Sequence, residues 1–384
     1  MGTVRSPVPS ELRPEQEEVP PASVEHPVVV GGKLTLTLQS DQTLNTANGV
    51  RPFNNLFTEP EFEWFANFGQ HLSINGLLKA EQVRSVDTNS AFAAEGLFFE
   101  QLYVTLSAEP GRVYGGKIHP RFGLAWDAAP GLYGTDFAED YEIVEKDGIG
   151  LAVEIPWLGK HVLSGELFVA DTSFLSKSFF SRPRASDPNV LRPSDLKPED
   201  GGVSNTGRLN NYAIALTGGD VPGLDGFSYN IGLALQRGGT IPGEDGADPT
   251  TQLNEHDFVA GLQWELPITS RITMTPIFEF ARIRNQGGSD VRTNYYTAGL
   301  GLELGRGWAA AAYATVRPTR NREDDTRFVD HLAGFSVDYD LGALLKSAVP
   351  LLDGLKFTTG YKHERVQAAT LNTVGVLLTY EKKF

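Results

Sequence analysis

The chain contains no cysteine among its 384 residues and only two methionines. That excludes a disulfide framework, a thiolate metal site and a cysteine nucleophile. It leaves an oxidising compartment open, because a chain without thiols has nothing to mispair there. Positive charge is also scarce: 33 Lys and Arg stand against 48 Asp and Glu, a formal net charge of -15. Nucleic acid binding needs clustered surface Lys and Arg, so nucleic acid is excluded as a partner. No stretch approaches the roughly 20 apolar residues of a membrane-spanning helix, and apolar runs such as WAAAAYATV at 308–316 reach only about half that length. A helical membrane protein is therefore excluded. The opening residues, MGTVRSPVPS, lack the apolar core of a secretory signal. A mature chain whose signal has been replaced by Met-Gly is the reading that the strand pattern favours over a protein retained in the cell.

What the chain does have is a period of two. In KLTLTLQS, Leu34, Leu36 and Leu38 alternate with Lys33, Thr35, Thr37 and Gln39. In FEWFANF, Phe62, Trp64, Ala66 and Phe68 share a face, and in HLSINGLLKAE the residues Leu72, Ile74 and Leu78 oppose His71, Ser73, Asn75 and Lys79. The same alternation recurs in QLYVTLS, GIGLAVEI, SGELFVAD, NNYAIALT, FSYNIGLALQ, DFVAGLQWEL, YTAGLGLELG, AGFSVDYDL, LKFTTGYKHE and the final NTVGVLLTYEKKF. Strict alternation predicts strands with one apolar and one polar face. Residues 1–30, rich in proline and acid and without periodicity, predict a disordered or extended N-terminal arm. Residues 31–384 form the second unit.

Short turns near 69, at 108–112, 156–160, 266–270 and 305–307 alternate with polar excursions at 41–57, 119–145, 171–208, 239–255 and 318–327. That rhythm marks an antiparallel up-and-down meander of about sixteen strands, an even number, with both termini at the short-turn end. The segment GALLKSAVPLLDG at 342–354 is apolar and predicts a turn or two of helix. The polar face is rich in Gly, Ser, Thr, Asn and Gln, where a soluble sandwich would carry heavy charge. The apolar face places aromatics near strand ends: Trp64, Tyr103, Trp264, Trp308, Tyr339, Tyr361 and Tyr380. Aromatic girdles around an apolar band predict an all-β, lipid-embedded barrel.

The stretch from 112 to 145, RVYGGKIHPRFGLAWDAAPGLYGTDFAEDYEIVE, resembles the Gram-negative outer-membrane porins. In that family the fifth strand leads through a Gly-rich segment with basic residues into a third loop that folds back into the barrel. Here the fifth predicted strand is about 112–118, and GLAWDA and YGTDFAEDY look like the family's loop in order and chemistry. The terminal Phe384, on the same alternation as Tyr380, is similar to the family's C-terminal signal for the barrel-assembly machinery. Lys382 stands where many members carry an aromatic. The resemblance implies an outer-membrane channel in contact with lipid and lipopolysaccharide, an inward-folded third loop at 119–145, a long extracellular loop at 171–208, and a homotrimer.

A barrel of about sixteen strands is too wide for side chains to fill, so water occupies the lumen and a loop folded inside sets the narrowest section. Asp127, Asp136, Glu139, Asp140 and Glu142 are the candidate acidic residues of that constriction. Candidate basic wall residues are Lys79, Lys117 and Arg237 by parity, Arg121 at the loop's start, and Arg282 and Arg284 in TPIFEFARIRN, which is apolar on both parities. Carboxylates facing cations would set a transverse field that orients polar solutes. His119, beside Pro120, is a further pore candidate.

Other motifs fall away. GLGLELG at 299–305 misses nucleotide-binding spacing and lies in an alternating strand, GEDGADPTTQLNEHD lacks the ligand spacing of an EF-hand, and no histidines stand at i, i+4. The expectation is a porin for passive diffusion of small hydrophilic solutes, with a slight lean to cations and no catalysis, metal or cofactor. The alternatives are a substrate-specific or export channel using 171–208 as a lid or partner surface, and an outer-membrane barrel enzyme or adhesin.

Overall fold

Alternation in KLTLTLQS becomes the long first strand, β1 (Val28–Thr46), of a closed barrel in the computed structural model, which describes residues 28–46, 52–82, 88–181, 197–243, 248–345, 352–367 and 369–384. The second strand, β2, comes in two segments, Phe53–Phe57 and Glu61–Phe68, followed by β3 (Leu72–Gln82), β4 (Glu95–Ala108) and β5 (Gly111–Ile118). After the 119–145 loop come β6 (Lys146–Ile155), β7 (Lys160–Ala170), β8 (Asn211–Gly219), β9 (Phe227–Gln236), β10 (Glu255–Trp264) and β11 (Thr273–Arg284). The last five are β12 (Val291–Gly305), β13 (Trp308–Asn321), β14 (Arg327–Asp340), β15 (Leu355–Val366) and β16 (Ala369–Lys383). Each pairs antiparallel with its sequence neighbour.

Closure comes from β1 and β16, which pair with Leu36 opposite Tyr380 and Leu38 opposite Leu378. A membrane-spanning sheet cannot leave an edge, since lipid offers no hydrogen-bond partners for unpaired amides and carbonyls. The seam ends at the terminal residue: Phe384 N–H donates to Gly32 O at 3.1 Å, and Gly32 N–H donates to Phe384 O at 3.2 Å. The Phe384 ring stacks on Phe62 at 5.6 Å.

Outward positions are apolar and exposed in the isolated chain: Leu36, Leu38, Val104, Leu106, Ile149, Leu151, Ile214, Leu233, Phe335, Val376 and Leu378 among them. Inward positions carry Thr105, Ser164, Asn230, Gln263, Thr297, Thr315 and Thr373, all buried. This apolar-out, polar-in alternation is the reverse of a soluble sandwich and matches a hydrocarbon surround. Trp308 and Tyr339 pack at 4.4 Å and Phe227 and Trp264 at 6.0 Å near the short-turn end. Tyr103 departs from the girdle expected for it. It lies on the parity opposite the exposed Val104 and Leu106 and packs against Tyr114 at 6.3 Å.

Several expected boundaries move. The barrel begins at Val28 rather than 31, because Val28–Gly31 pair with Phe65–Phe68 of β2. The expected arm otherwise lies outside the described residues. The stretch 41–57 is strand at both ends, its polar side chains tied across the sheet: Gln42 Nε2 donates to Phe53 O at 3.0 Å and Asn54 Nδ2 to Ser40 Oγ at 3.0 Å. Only 322–326 separates β13 from β14, so half of 318–327 is strand. The helix expected in 342–354 is Leu341–Leu345, and 346–351 lie outside the described residues.

Candidate functional site: the third loop and the lumen wall

At Ile118 the chain leaves the wall. β5 pairs with β4 only up to Lys117 opposite Leu102, which strips the upper part of β4 of a neighbour. Phe180–Ser181, from the 171–208 loop, fills that edge by pairing with Leu97 and Gly96, and Phe179 N–H donates to Leu97 O at 2.7 Å. The beginning of the long loop, expected as a lid or partner surface, is thus spent on repairing the sheet where the third loop departs. Its residues 182–196 lie outside the described residues.

The third loop packs an apolar underside on the inner wall. Phe122, Ala125, Ala129, Tyr133, Phe137, Tyr141 and Ile143 form one buried cluster with Phe168, Ala213, Ala234, Val259, Ala281, Ile283, Tyr295, Tyr313 and Leu332 of β7 to β14. Small lumen-facing residues make the seat. A Cβ on Gly299 would stand 2.4 Å from Pro130 Cδ, and one on Gly232 would stand 3.2 Å from the Phe122 ring.

Polar anchors fix the loop at several points. Glu279 of β11, fully buried, accepts Leu124 N–H at 2.6 Å, Ala125 N–H at 3.0 Å and Tyr141 O–H at 2.6 Å. These charge-assisted bonds offset the cost of burying the carboxylate. Tyr133 O–H donates to Asp41 of β1 at 2.7 Å. Asp136 pairs with Lys362 of β15 at 2.6 Å, and the Lys362 ammonium lies 4.7 Å from the Tyr133 ring centroid. Asp140 pairs with Arg317 of β13, which also holds Asp330 at 2.8 Å and covers the Phe137 ring at 4.1 Å. Burial pushes the Asp136 carboxyl up to about 6 against the pull of Lys362, and raises Asp140 despite Arg317.

The loop's other edge faces β2 to β4. Glu139 accepts Thr135 O–H at 2.6 Å, and the field of Glu139 reaches Glu142 and Glu59. Across from them Lys79 of β3 has Glu81 at 3.3 Å, Glu100 at 3.5 Å and Glu61 at 3.9 Å, and His119 Nε2 is 3.6 Å from Glu100. Glu61, Glu81 and Glu100 therefore surround the Lys79 ammonium, the fields of Glu59 and Glu142 also reach it, and Glu139 adds its charge beside those two. Burial, and then the neighbouring Glu139, push the Glu142 carboxyl up to about 8. Among the described residues no three His, Asp or Glu side chains converge to hold a metal ion.

The expected site residues separate accordingly. Glu139 and Glu142 sit at the loop's lumen edge with Lys79 opposite. Asp136 and Asp140 are spent on anchoring, and Asp127 is exposed in the short helix α1 (Ala125–Ala128). Arg121 stays on the lumen side beside Glu166, which accepts Tyr114 O–H at 2.5 Å. Lys117 is not a pore residue: its ammonium is buried between Glu145 at 2.8 Å, Asp171 at 3.0 Å and Leu175 O at 3.1 Å, where the third and fourth loops leave the wall. Arg237 is also displaced. It continues the outward series Ile231 and Leu233, is exposed, and donates through Nε to Asn210 O at 3.0 Å. Arg282 and Arg284 lie on the outer face with Phe278, because Ile277, Glu279, Ala281 and Ile283 are the buried inner series.

Sequence reasoning passed over Glu279, Arg317, Lys362 and the glutamates of β2 to β4. One signal was present: TPIFEFARIRN is apolar on both parities, which means that its lumen face is covered. Glu279 is the lone acid on that covered face.

A closed, sixteen-stranded barrel with an apolar exterior, a polar interior and its third loop folded inside defines the outer-membrane porin fold. Solved structures agree. The outer membrane channel DcaP of Acinetobacter baumannii superposes with a TM-score of 0.56 at 9% identity, covering 92% of this chain and 97% of that one. A loop L8 deletion mutant of OmpT, an outer membrane protein of Vibrio cholerae, gives 0.53 at 9% identity over 92% and 99%. An anion-selective porin from Comamonas acidovorans gives 0.52 at 12% identity over 93% and 99%. The sequence matches no protein-family model and no curated protein.

Proposed function

We propose that this protein is a passive diffusion channel of the Gram-negative outer membrane, admitting small hydrophilic solutes and ions with a preference for cations and performing no chemistry. The carrying observation is the gathering of carboxylates about Lys79 and His119, where Glu139 and Glu142 of the loop edge meet Glu59, Glu61, Glu81 and Glu100 of the wall. Glu61, Glu81 and Glu100 lie within 4 Å of the Lys79 ammonium, well inside the Debye length of about 8 Å at physiological salt, so salt does not erase the local field. A local excess of negative charge concentrates cations at the narrowest section and repels anions. The expected transverse field between loop acids and wall cations is replaced here by a predominantly negative collar, because the loop acids nearest to cations are consumed in anchoring. Homotrimeric assembly, which the family resemblance implies, belongs to the same reading and is checked by the mass of the detergent-extracted protein.

The test is conductance of the purified protein in a planar bilayer, with the reversal potential measured in a potassium chloride gradient. Stable open-channel steps with a cation-selective potential support the reading. Absence of steps would overturn the channel, and an anion-selective potential would overturn the collar.

A further inference from the structure

The outer face of β11 to β14 changes character in one step toward the loop end. Phe278, Tyr296, Val316, Val329 and Phe335 are exposed and apolar. Beyond them, arginines occupy directly opposed positions on four successive strands: Arg284 faces Arg292, Arg292 faces Arg320, and Arg320 faces Arg327. Arg282 and Arg322 flank the row, and the charges of Arg282, Arg284 and Arg322 all reach Arg292. Like charges directly opposed across a sheet destabilise it, so a row of four requires a counter-charge.

The described residues supply little of it. Asp325 pairs with Arg320 at 2.9 Å and Asp290 approaches Arg322 at 3.8 Å, both at exposed positions. Asp324 is turned to its own loop, accepting from Thr326, and Glu323 accepts Asp290 N–H. Among the described residues no carboxylate lies in ion-pair range of Arg284, Arg292 or Arg327, and the Nε of Arg292 is buried with no hydrogen-bond partner.

We propose that this row binds the phosphoryl groups of lipopolysaccharide in the outer leaflet, with acyl chains lying along Phe278, Tyr296, Val316 and Phe335. Guanidinium forks take phosphate oxygens in bidentate pairs, which a point-charge ammonium cannot do. Three interstrand spacings of about 4.8 Å make the row about 14 Å long, room for more than one phosphate. The apolar band directly below excludes a freely diffusing anion as the natural occupant, because only an amphiphile satisfies both surfaces together. The proposal rests on the outer-membrane placement above, with the long-loop end outward.

The test uses the full chain, folded in detergent with EDTA to remove bridging divalent ions. Binding of bisphosphorylated lipopolysaccharide is compared with that of the same lipid after phosphate removal, and with inorganic phosphate as competitor. Dephosphorylation should weaken binding at least tenfold, as should Arg284→Gln, Arg292→Gln and Arg327→Gln together, with single-channel conductance unchanged. Equal binding of the two lipids, or undiminished binding by the triple variant, would overturn the proposal. Complete displacement of the lipid by low-millimolar inorganic phosphate would reassign the row to a free anion. If the triple variant fails to fold, the two-lipid comparison on the unaltered protein decides. Loss of conductance with lipid binding intact would count against the channel reading alone.

Discussion

The phenol of Tyr141, on the third loop, donates its proton to Glu279 at 2.6 Å across a sequence separation of 138 residues. The same carboxylate takes the amides of Leu124 and Ala125, so one buried acid on β11 holds both the entry and the exit of the loop. Removing the phenol in Tyr141→Phe leaves the ring packing on Tyr295 at 4.8 Å but deletes a hydrogen bond to a charged acceptor, a loss of about 1.5–3 kcal/mol. Glu279→Gln goes further, since its amide nitrogen cannot accept from the loop's N–H groups. Both variants should show noisier open-channel current, and Glu279→Gln a wider size limit in liposome swelling. Unchanged noise and size limit in Glu279→Gln would remove this carboxylate from the account of how the loop is held.

The barrel was legible because period-two alternation is a local property, written wherever one face meets lipid and the other water. Leu34, Leu36 and Leu38 against Thr35 and Thr37 suffice to orient β1 without knowledge of any other strand. The loop's attachments were not legible, because Asp136 with Lys362 and Asp140 with Arg317 are pairings over long separations that no window of sequence contains. Parity also failed where the wall is interrupted. Lys117 runs in unbroken register with β4 and β6 on the parity of the exposed Val113, outside the lumen, and the start of the fourth loop then covers it. The seat glycines read as mere packing residues in GLGLELG, yet Gly299 is the position where Pro130 of the loop comes to rest.

The division of the loop acids into anchoring and lining groups gives a charge prediction. At pH 9.5, where Glu142 is ionised, Glu139→Gln with Glu142→Gln removes two carboxylate charges from the free edge and should lower the cation-to-anion permeability ratio by about two- to threefold, a few tenths of a kcal/mol in the ratio. Lys79→Gln should raise that ratio. Asp136→Asn with Asp140→Asn leaves Lys362 and Arg317 with fewer counter-charges, and should lower thermal stability while moving selectivity less than the glutamate pair does. Reversal potentials and melting curves of the three variants check the set. A larger selectivity change in the aspartate pair than in the glutamate pair would contradict the division.

Selectivity should also depend on pH. Glu142, held up to about 8 by burial and by the nearby Glu139, is mostly protonated at pH 6 and mostly ionised at pH 9.5. The collar gains negative charge as pH rises through that interval, so cation preference should increase with pH. Its neighbours Glu59, His119 and Lys79 share the collar. Deprotonation of any of them acts in the same direction, so the assignment depends on Glu142→Gln, which should flatten the change between pH 7 and 9. A pH profile identical in Glu142→Gln and the unaltered protein would show that the titrating group is another.

The seam offers a test of assembly. Phe384 is paired to Gly32 by two backbone hydrogen bonds and stacked face to face on Phe62, while Tyr380 stands opposite Leu36 in the same outward column. Backbone pairing is indifferent to the terminal side chain, so Phe384→Ala keeps those bonds and loses only the ring contact and any recognition of the ring by assembly machinery. Phe62→Ala loses the same ring contact and leaves the Phe384 ring in place. If the aromatic end is read as a signal, Phe384→Ala should lower the yield of folded barrel in cells several-fold, with Phe62→Ala close to normal, and the two proteins should refold alike in detergent. Equal losses in cells would assign Phe384 to closing the seam alone.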